Sequence, residues 1–296
     1  MGFRTVIVNK HSKLGYKNNH LIFKSEIDLQ KIHMSEIDTL MLETTDIAIS
    51  TMLLSKCVEF GINVIFCNSK RQPSASLMPY YGRHDSSLTL LKQLKWSEEK
   101  SELLAYNILQ QKIGNQALFL KENGFSEKAE SIENLLNELG LADPSNREGH
   151  AARIFFNTLY GNDFSRDTLN DINAGLDYGY TLIMSMFARE IVKCGCLTQL
   201  GINHSNQFNQ FNLASDLMEP FRLIVDEIVF ENKYETFAYI KGELFAMFAS
   251  TYNYNNSQMY LNNIASHYVK KCIDFLHNEG DAIPNFVYSR RKDGEA

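Results

Sequence analysis

NVIFCNSKRQPSASLMPYYGRHDSSLTLLKQLKWSEEKSELL, residues 63–104, is where the chain changes character. Its opening NVIFC is a short apolar run bounded by polar turn residues, which predicts a strand. ASLMPY, residues 75–80, predicts another. Past the stretch Tyr81–Ser87 the texture differs. From Ser87 to Gly124, apolar residues recur at i, i+3, i+4 and i+7, the spacing of an amphipathic helix. Strands therefore lie on one side of this segment and helices on the other.

Working outward, the upstream side stays β. FRTVIV, residues 3–8, and DTLMLE, residues 38–43, read as strands. KLGYKNNHLIFK, residues 13–24, reads as a hairpin, because Asn18 and Asn19 tolerate the positive φ of a tight turn. Ser50 or Thr51 can cap a short helix, TMLLSKCVEF, that Gly61 ends. Downstream the reading is helical throughout: SEKAESIENLLNELG (126–140), REGHAARIFFNTLYG (147–161) behind an Asp143-Pro144 start, a long helix over roughly Asp167 to Leu197, one after Ser215, and NSQMYLNNIASHYVKKCIDFLHNEG (256–280). β first and α afterwards implies segregated layers rather than alternating βαβ units. The expected class is α+β, with a small β-rich domain over 1–82 and a larger all-helical domain over 83–296.

Bulk properties narrow the possibilities. Of 296 residues, 44% are hydrophobic and 22% charged, so a sizeable core can be buried and disorder is excluded as the general state. No apolar run approaches the ~20 residues of a membrane-spanning helix. The start, MGFRTVIVNK, has no small-residue cleavage site after its apolar stretch and reads as a first strand rather than a signal peptide. Five cysteines with no CxxC pair suit reduced thiols in a cytoplasmic protein. The net charge of −6 counts mildly against nucleic acid, although carboxylates that hold metal ions inflate that figure.

Three residues stand out, each with an ordinary explanation when taken alone. Glu148 falls in the first turn of a helix, where the macrodipole favours an acid. His204 lies in GINHSNQFNQFNLASDLMEPFR, a polar connection whose Phe208 and Phe211 would tuck into the core. Glu219 precedes Pro220, which biases it away from helical geometry. Ser215 or Asp216 would cap that helix and leave an acidic exposed side carrying Asp216 and Glu219. Together, two carboxylates and an imidazole at helix starts are a donor set for a divalent ion such as Mg²⁺ or Mn²⁺, with positions left for water.

The blocks REGHAAR, KIGNQ, NAGLDYGY, GINH and NLASDLMEPFRLIVDEI resemble the signature blocks of the CRISPR-associated adaptation integrases, and most of all their type II-A branch. The resemblance runs over essentially the whole chain, and ASDLMEPFR after a loop GxxH is its specific part. It implies a metal-dependent DNA endonuclease and integrase of spacer acquisition. Glu148, His204 and Glu219 would be its catalytic metal ligands for Mg²⁺ or Mn²⁺, with Asp216 a further acid near the ion. It also implies a homodimer formed through the β-domains, bridged by a dimer of the small second adaptation protein into a heterohexamer. Double-stranded DNA, both captured fragment and CRISPR repeat, would be bound. In a type II system an effector nuclease and a ring-forming accessory protein would join.

Arg147, Arg153, Arg166, Arg189, Lys193 and Arg222 flank the motif blocks and are candidates for phosphate contact, as is the basic tail Arg290–Lys292. Tyr178 and Tyr180 are expected to pack the site. Two rival readings remain. One is a metal phosphohydrolase, suggested by the His84-Asp85 dipeptide. The other is a non-catalytic DNA-binding scaffold of the same adaptation complex.

Overall fold

The computed structural model describes residues 2, 4–80 and 85–289. The N-terminal strands are β1 (Arg4–Val8), β2 (Ser12–Lys17), β3 (His20–Lys24), β4 (Leu29–His33), β5 (Ile37–Leu42) and β6 (Ile47–Ile49). Then come helix α1 (Thr51–Glu59), β7 (Asn63–Cys67) and β8 (Pro73–Leu77). They build two sheets, ordered β1-β5-β7-β8 and β4-β3-β2-β6. The expected hairpin joins β2 to β3, with Asn18 and Asn19 at φ 48° and 59°. Ser50 caps α1 by accepting from the Leu53 N–H at 3.3 Å. Gly61, at φ 68°, follows its end. β4 and β6 are additional; both are short, and LQKIH is too polar to show an alternating apolar face.

β5 is buried at every position because it is covered on both faces. Leu40 and Leu42 enter the core between the two sheets and α1, while Met41 enters the core of the helical part. The pairing of β1 with β5 skips Asp38, and that extra residue turns its carboxylate to Arg189.

The helical part contains α2 (Ser86–Gln93), α3 (Glu98–Glu122), α4 (Ser126–Asn137), α5 (Arg147–Tyr160), α6 (Asp171–Lys193), α7 (Asn212–Leu217), α8 (Arg222–Glu231), α9 (Phe237–Ala246) and α10 (Leu261–Leu276). Two findings modify the expected all-helical reading. The continuous pattern from Ser87 to Gly124 is broken after Gln93, and Ser97 caps α3 afresh by accepting from the Lys100 N–H. A β-hairpin, β9 (Thr251–Tyr254) and β10 (Ser257–Tyr260), occupies the front of the segment expected to be wholly helical. Its turn is Asn255-Asn256, both at positive φ, the same chemistry as Asn18-Asn19. The remainder is mostly helical.

α6 is the central helix. Its buried side chains pack with those of α7, α8 and α10 and with Met41 and Ile65 of the sheet. Gly175 and Gly179, one turn apart, let α8 and α9 approach closely. A Cβ at Gly179 would lie 2.5 Å from a Val225 methyl and 2.9 Å from one of Leu244. A second core joins α3, α4 and α5 to Leu223 and Tyr288. No described helix is long and apolar enough to cross a membrane.

Candidate metal centre

Glu148 is placed by the start of α5. The Asp143 carboxylate accepts from the Arg147 and Glu148 N–H groups at 2.7 and 2.9 Å, so it does cap the helix, but from four residues upstream instead of immediately before it. Asn146 takes the left-handed conformation and folds under Gly149, where a Cβ would stand 2.6 Å from its Oδ1.

His204 is placed by Asp216. Both oxygens of this buried carboxylate are engaged. Oδ2 accepts from the N–H groups of Ile202 and Asn203 at 2.7 and 3.1 Å. Oδ1 accepts from the N–H and the Nδ1 of His204 at 2.9 and 2.5 Å. The GINH loop thus wraps an anion with successive backbone donors. Gly201 is required at its entrance, since a Cβ there would meet the His204 carbonyl oxygen at 2.3 Å and Asp216 Oδ2 at 2.7 Å. The bond to Asp216, and the charge behind it, hold His204 above the usual histidine range. With Nδ1 committed, Nε2 remains as the ligand atom.

Glu219 is placed by Pro220. The chain leaves α7 and passes through a 3₁₀ turn, Glu219–Phe221, before α8 starts. Ser215 and Asp216 are therefore not caps; they lie inside α7, and the supposed acidic exposed side is buried, with Asp216 3% and Glu219 5% exposed. A buried carboxylate requires partners. Oε1 of Glu219 accepts from Arg222 Nε at 3.0 Å. Oε2 lies 2.6 Å from Lys112 Nζ. Burial opposes ionisation of Glu219, but Lys112 and Arg222 outweigh it and lower its pKa.

Lys112 of α3 also pairs with Glu148, so one ammonium sits between the two predicted carboxylate ligands. Burial disfavours its charge, yet the two carboxylates more than compensate and raise its pKa. Glu148 and Glu219 thus come together on one cation, and the His204 imidazole lies within electrostatic reach of Glu219. Among the described residues, no three of His, Cys, Asp and Glu surround a common point. The position between the carboxylates is held by Lys112. Two carboxylates already sharing a cation and an imidazole with Nε2 uncommitted fit a hard divalent ion.

Around this centre the structure adds groups that the motifs do not assign. Asp226 of α8 hydrogen-bonds the Tyr180 hydroxyl, and burial pushes its carboxyl up to about 6. Arg222 stacks over the Tyr180 ring at 4.7 Å. An acid inside the apolar run LIVDEIV is the available signal, since such a group must find a partner. Asn115 explains another block: it donates to Phe286 O, accepts from Tyr288 N, and reaches Pro220 O, tying the C-terminal segment behind Glu219. Phe286 stacks on Phe221 there at 4.1 Å. Tyr178 packs the core between Phe237 and Phe245.

The phosphate candidates divide. Arg189 is buried between Asp38 and Glu190 and faces no surface. Arg147, Arg166, Lys193 and Arg222 each pair with an acid, while Arg153 is exposed on α5. Phe211 packs on the core as expected, but Phe208 does not; it is 84% exposed. It borders a cleft of about 750 Å³ lined also by Ser76, Leu90, Thr198 and Gln210. His84 and Arg290–Lys292 fall outside the described residues.

Residues 5–236 match the family described as CRISPR associated protein Cas1. The chain is 31% identical, over 226 residues, to the CRISPR-associated endonuclease Cas1 of Neisseria meningitidis serogroup C (strain 8013), a match that covers 76% of this chain and 74% of that protein. In fold it is similar to a casposase bound to integration product, with a TM-score of 0.74 at 16% identity over 95% of this chain and 92% of that one. It is also similar to a chain of a Cas6-RT-Cas1–Cas2 complex, with a TM-score of 0.73 at 16% identity over 95% of this chain; it spans only 36% of that longer chain. With a family match covering most of its length and a relative above 30% identity, the chain belongs to the Cas1 family of CRISPR-associated proteins.

Proposed function

We propose that this protein is a metal-dependent DNA endonuclease and integrase of CRISPR spacer acquisition, with Glu148, His204 and Glu219 as ligands of Mg²⁺ or Mn²⁺. The observation that carries the proposal is the pair of carboxylates, Glu148 and Glu219, converging on one cation beside an imidazole oriented by a buried aspartate.

Each residue has a definable task. Asp216 accepts from Nδ1 of His204 and so selects the tautomer whose Nε2 can donate a lone pair. Arg222 holds one oxygen of Glu219 and leaves the other turned to the shared cation position. Asn115, through Pro220 O, steadies the turn that presents Glu219. A bound divalent ion would supply charge neutralisation at a phosphoryl oxygen and a more acidic attacking hydroxyl. In the overall reaction the 3′ oxygen of a captured fragment forms a new P–O bond with a phosphodiester at the repeat edge. The bond from that phosphorus to the repeat's 3′ oxygen breaks, so phosphodiester number is conserved. Water in place of the 3′-OH gives hydrolysis.

Residues 1–82 would form the dimerisation unit and 83–296 the catalytic unit. A chain of similar fold belongs to a complex that contains Cas2, which supports the small second adaptation protein as a partner. The effector nuclease and ring-forming accessory protein, like the homodimer, rest on the sequence resemblance.

The test is strand transfer. The protein and its small partner would be mixed with a duplex bearing free 3′-OH ends and a plasmid carrying a repeat, in Mn²⁺ or EDTA, for wild type and His204→Ala. Joining at the repeat edge that needs Mn²⁺ and disappears in the variant is expected. Joining that persists in His204→Ala would remove the ligand assignment and keep the activity. Bound DNA with no joining in any condition would favour the scaffold.

A further inference from the structure

The pairing at the centre directs attention to Lys112. Glu148 and Glu219 meet Lys112 and Arg222, and Asp216 meets His204. Arg222 is held in place by Glu219 and by the face of Tyr180. Lys112 is different. Its long side chain ends in an ammonium that has no directional requirement, and the charges it pairs with are the two carboxylates proposed above as metal ligands.

Beside it lies a cavity of about 120 Å³, lined by Lys112, Gln116, Arg166, Tyr180, Glu219 and Arg222 among others. That space exceeds the roughly 30 Å³ share of a water molecule several times over. Gln116 stands one turn after Lys112 on α3 and therefore on the same face. It is 4% exposed, and its Oε1 is buried with no hydrogen-bond partner. A buried amide oxygen without a donor is unfavourable. An ammonium arriving from the preceding turn would satisfy it.

We propose that Lys112 is an exchangeable counter-cation: it holds Glu148 and Glu219 together when no metal is bound, and an incoming divalent ion displaces its ammonium along α3 into the adjoining cavity, where it bonds Gln116 Oε1. The inference rests on the metal reading above. The lysine stays protonated throughout, so the exchange changes the charge of the centre. A divalent ion adds two positive charges while the ammonium stays beside the centre, so a phosphodiester then meets a more attractive site. Metal loading and DNA binding are thereby coupled through one side chain.

The experiment is Mn²⁺ binding, by electron paramagnetic resonance or calorimetry, together with thermal melting in EDTA and in Mn²⁺. Full-length wild type, Lys112→Gln, Gln116→Leu and His204→Ala are compared. Lys112→Gln is expected to bind Mn²⁺ roughly tenfold more tightly, as for the loss of one competing charge-assisted pair, and to melt lower in EDTA. Gln116→Leu keeps the resting contact and removes the receiving oxygen; it is expected to bind Mn²⁺ several-fold more weakly and to melt no lower in EDTA. Equal or weaker Mn²⁺ binding by Lys112→Gln overturns the exchange. If that variant does not fold, unchanged Mn²⁺ binding by Gln116→Leu overturns it. Wild type that binds no Mn²⁺, or binds it equally as His204→Ala, overturns the metal reading and this inference with it.

Discussion

Asp38 and Glu190, where the sheet meets α6, are as buried as Asp216 and Glu219 at the proposed metal centre, and both pairs lie beside basic side chains. At the sheet, two acids face two bases. Arg189 bridges Asp38 and Glu190 at 3.0 and 2.9 Å, and Lys193 closes on Glu190 at 2.9 Å. That cluster is balanced, and it locks α6 to β5. At the proposed metal centre the His204 side chain is 41% exposed and a cavity adjoins. Burial of charge alone therefore does not mark function. A route to solvent separates the two clusters, because an ion could reach carboxylates only where such a route exists.

The comparison can be broken at its balanced side first. Arg189→Met strands Asp38 and Glu190 with one remaining base, and should destabilise the protein by about 3–5 kcal/mol in urea titration. Mn²⁺ affinity of the folded protein should not change. A fall in affinity with stability would mean the two clusters act as one.

Asp216→Asn tests the other side. An amide cannot serve three backbone N–H groups and a ring N–H as an ionised carboxylate does. Mn²⁺ affinity should drop about 10–100-fold by calorimetry, the usual effect of losing the group that orients a metal-bound histidine. Unchanged affinity would reduce Asp216 to a loop support.

Asp226 supplies the smallest effect and a pH dependence. Its carboxyl is raised to about 6 by burial, against the Tyr180 hydrogen bond and Arg222. The folded protein therefore holds a proton that the unfolded chain, with a pKa near 3.9, has released. The stability from this group is present below pH ~4 and is lost as pH rises toward ~6. Asp226→Asn should be more stable than wild type at pH 7.5 by on the order of 1–2 kcal/mol, with the difference vanishing toward pH 4. A variant less stable at pH 7.5 would show that Tyr180 and Arg222 fully compensate the ionised carboxylate.

Features governed by neighbours in sequence are legible in it. The Asn18-Asn19 turn, the Ser50 cap and the break at Pro220 follow from local sterics and hydrogen bonding. The hairpin β9–β10 is not, although its Asn255-Asn256 turn carries the same signal, because SQMYLNNI also fits helical spacing, and periodicity over so few residues cannot separate the two. Asp216 reads as a cap for a related reason. An acid near a helix start is locally indistinguishable from one buried inside a short helix, and only the GINH loop folded over it makes the difference.

By itself, the sequence determined the order of strands and helices, the family blocks and the residue types that could hold an ion. Which of those residues meet was decided by the tertiary structure. Lys112, Glu148 and Glu219 lie on three separate segments, and their convergence depends on the packing of α3, α5 and α8 around a common core. Electrostatics acts through space, so the shared ammonium and the unbonded Gln116 oxygen leave no trace in spacing along the chain.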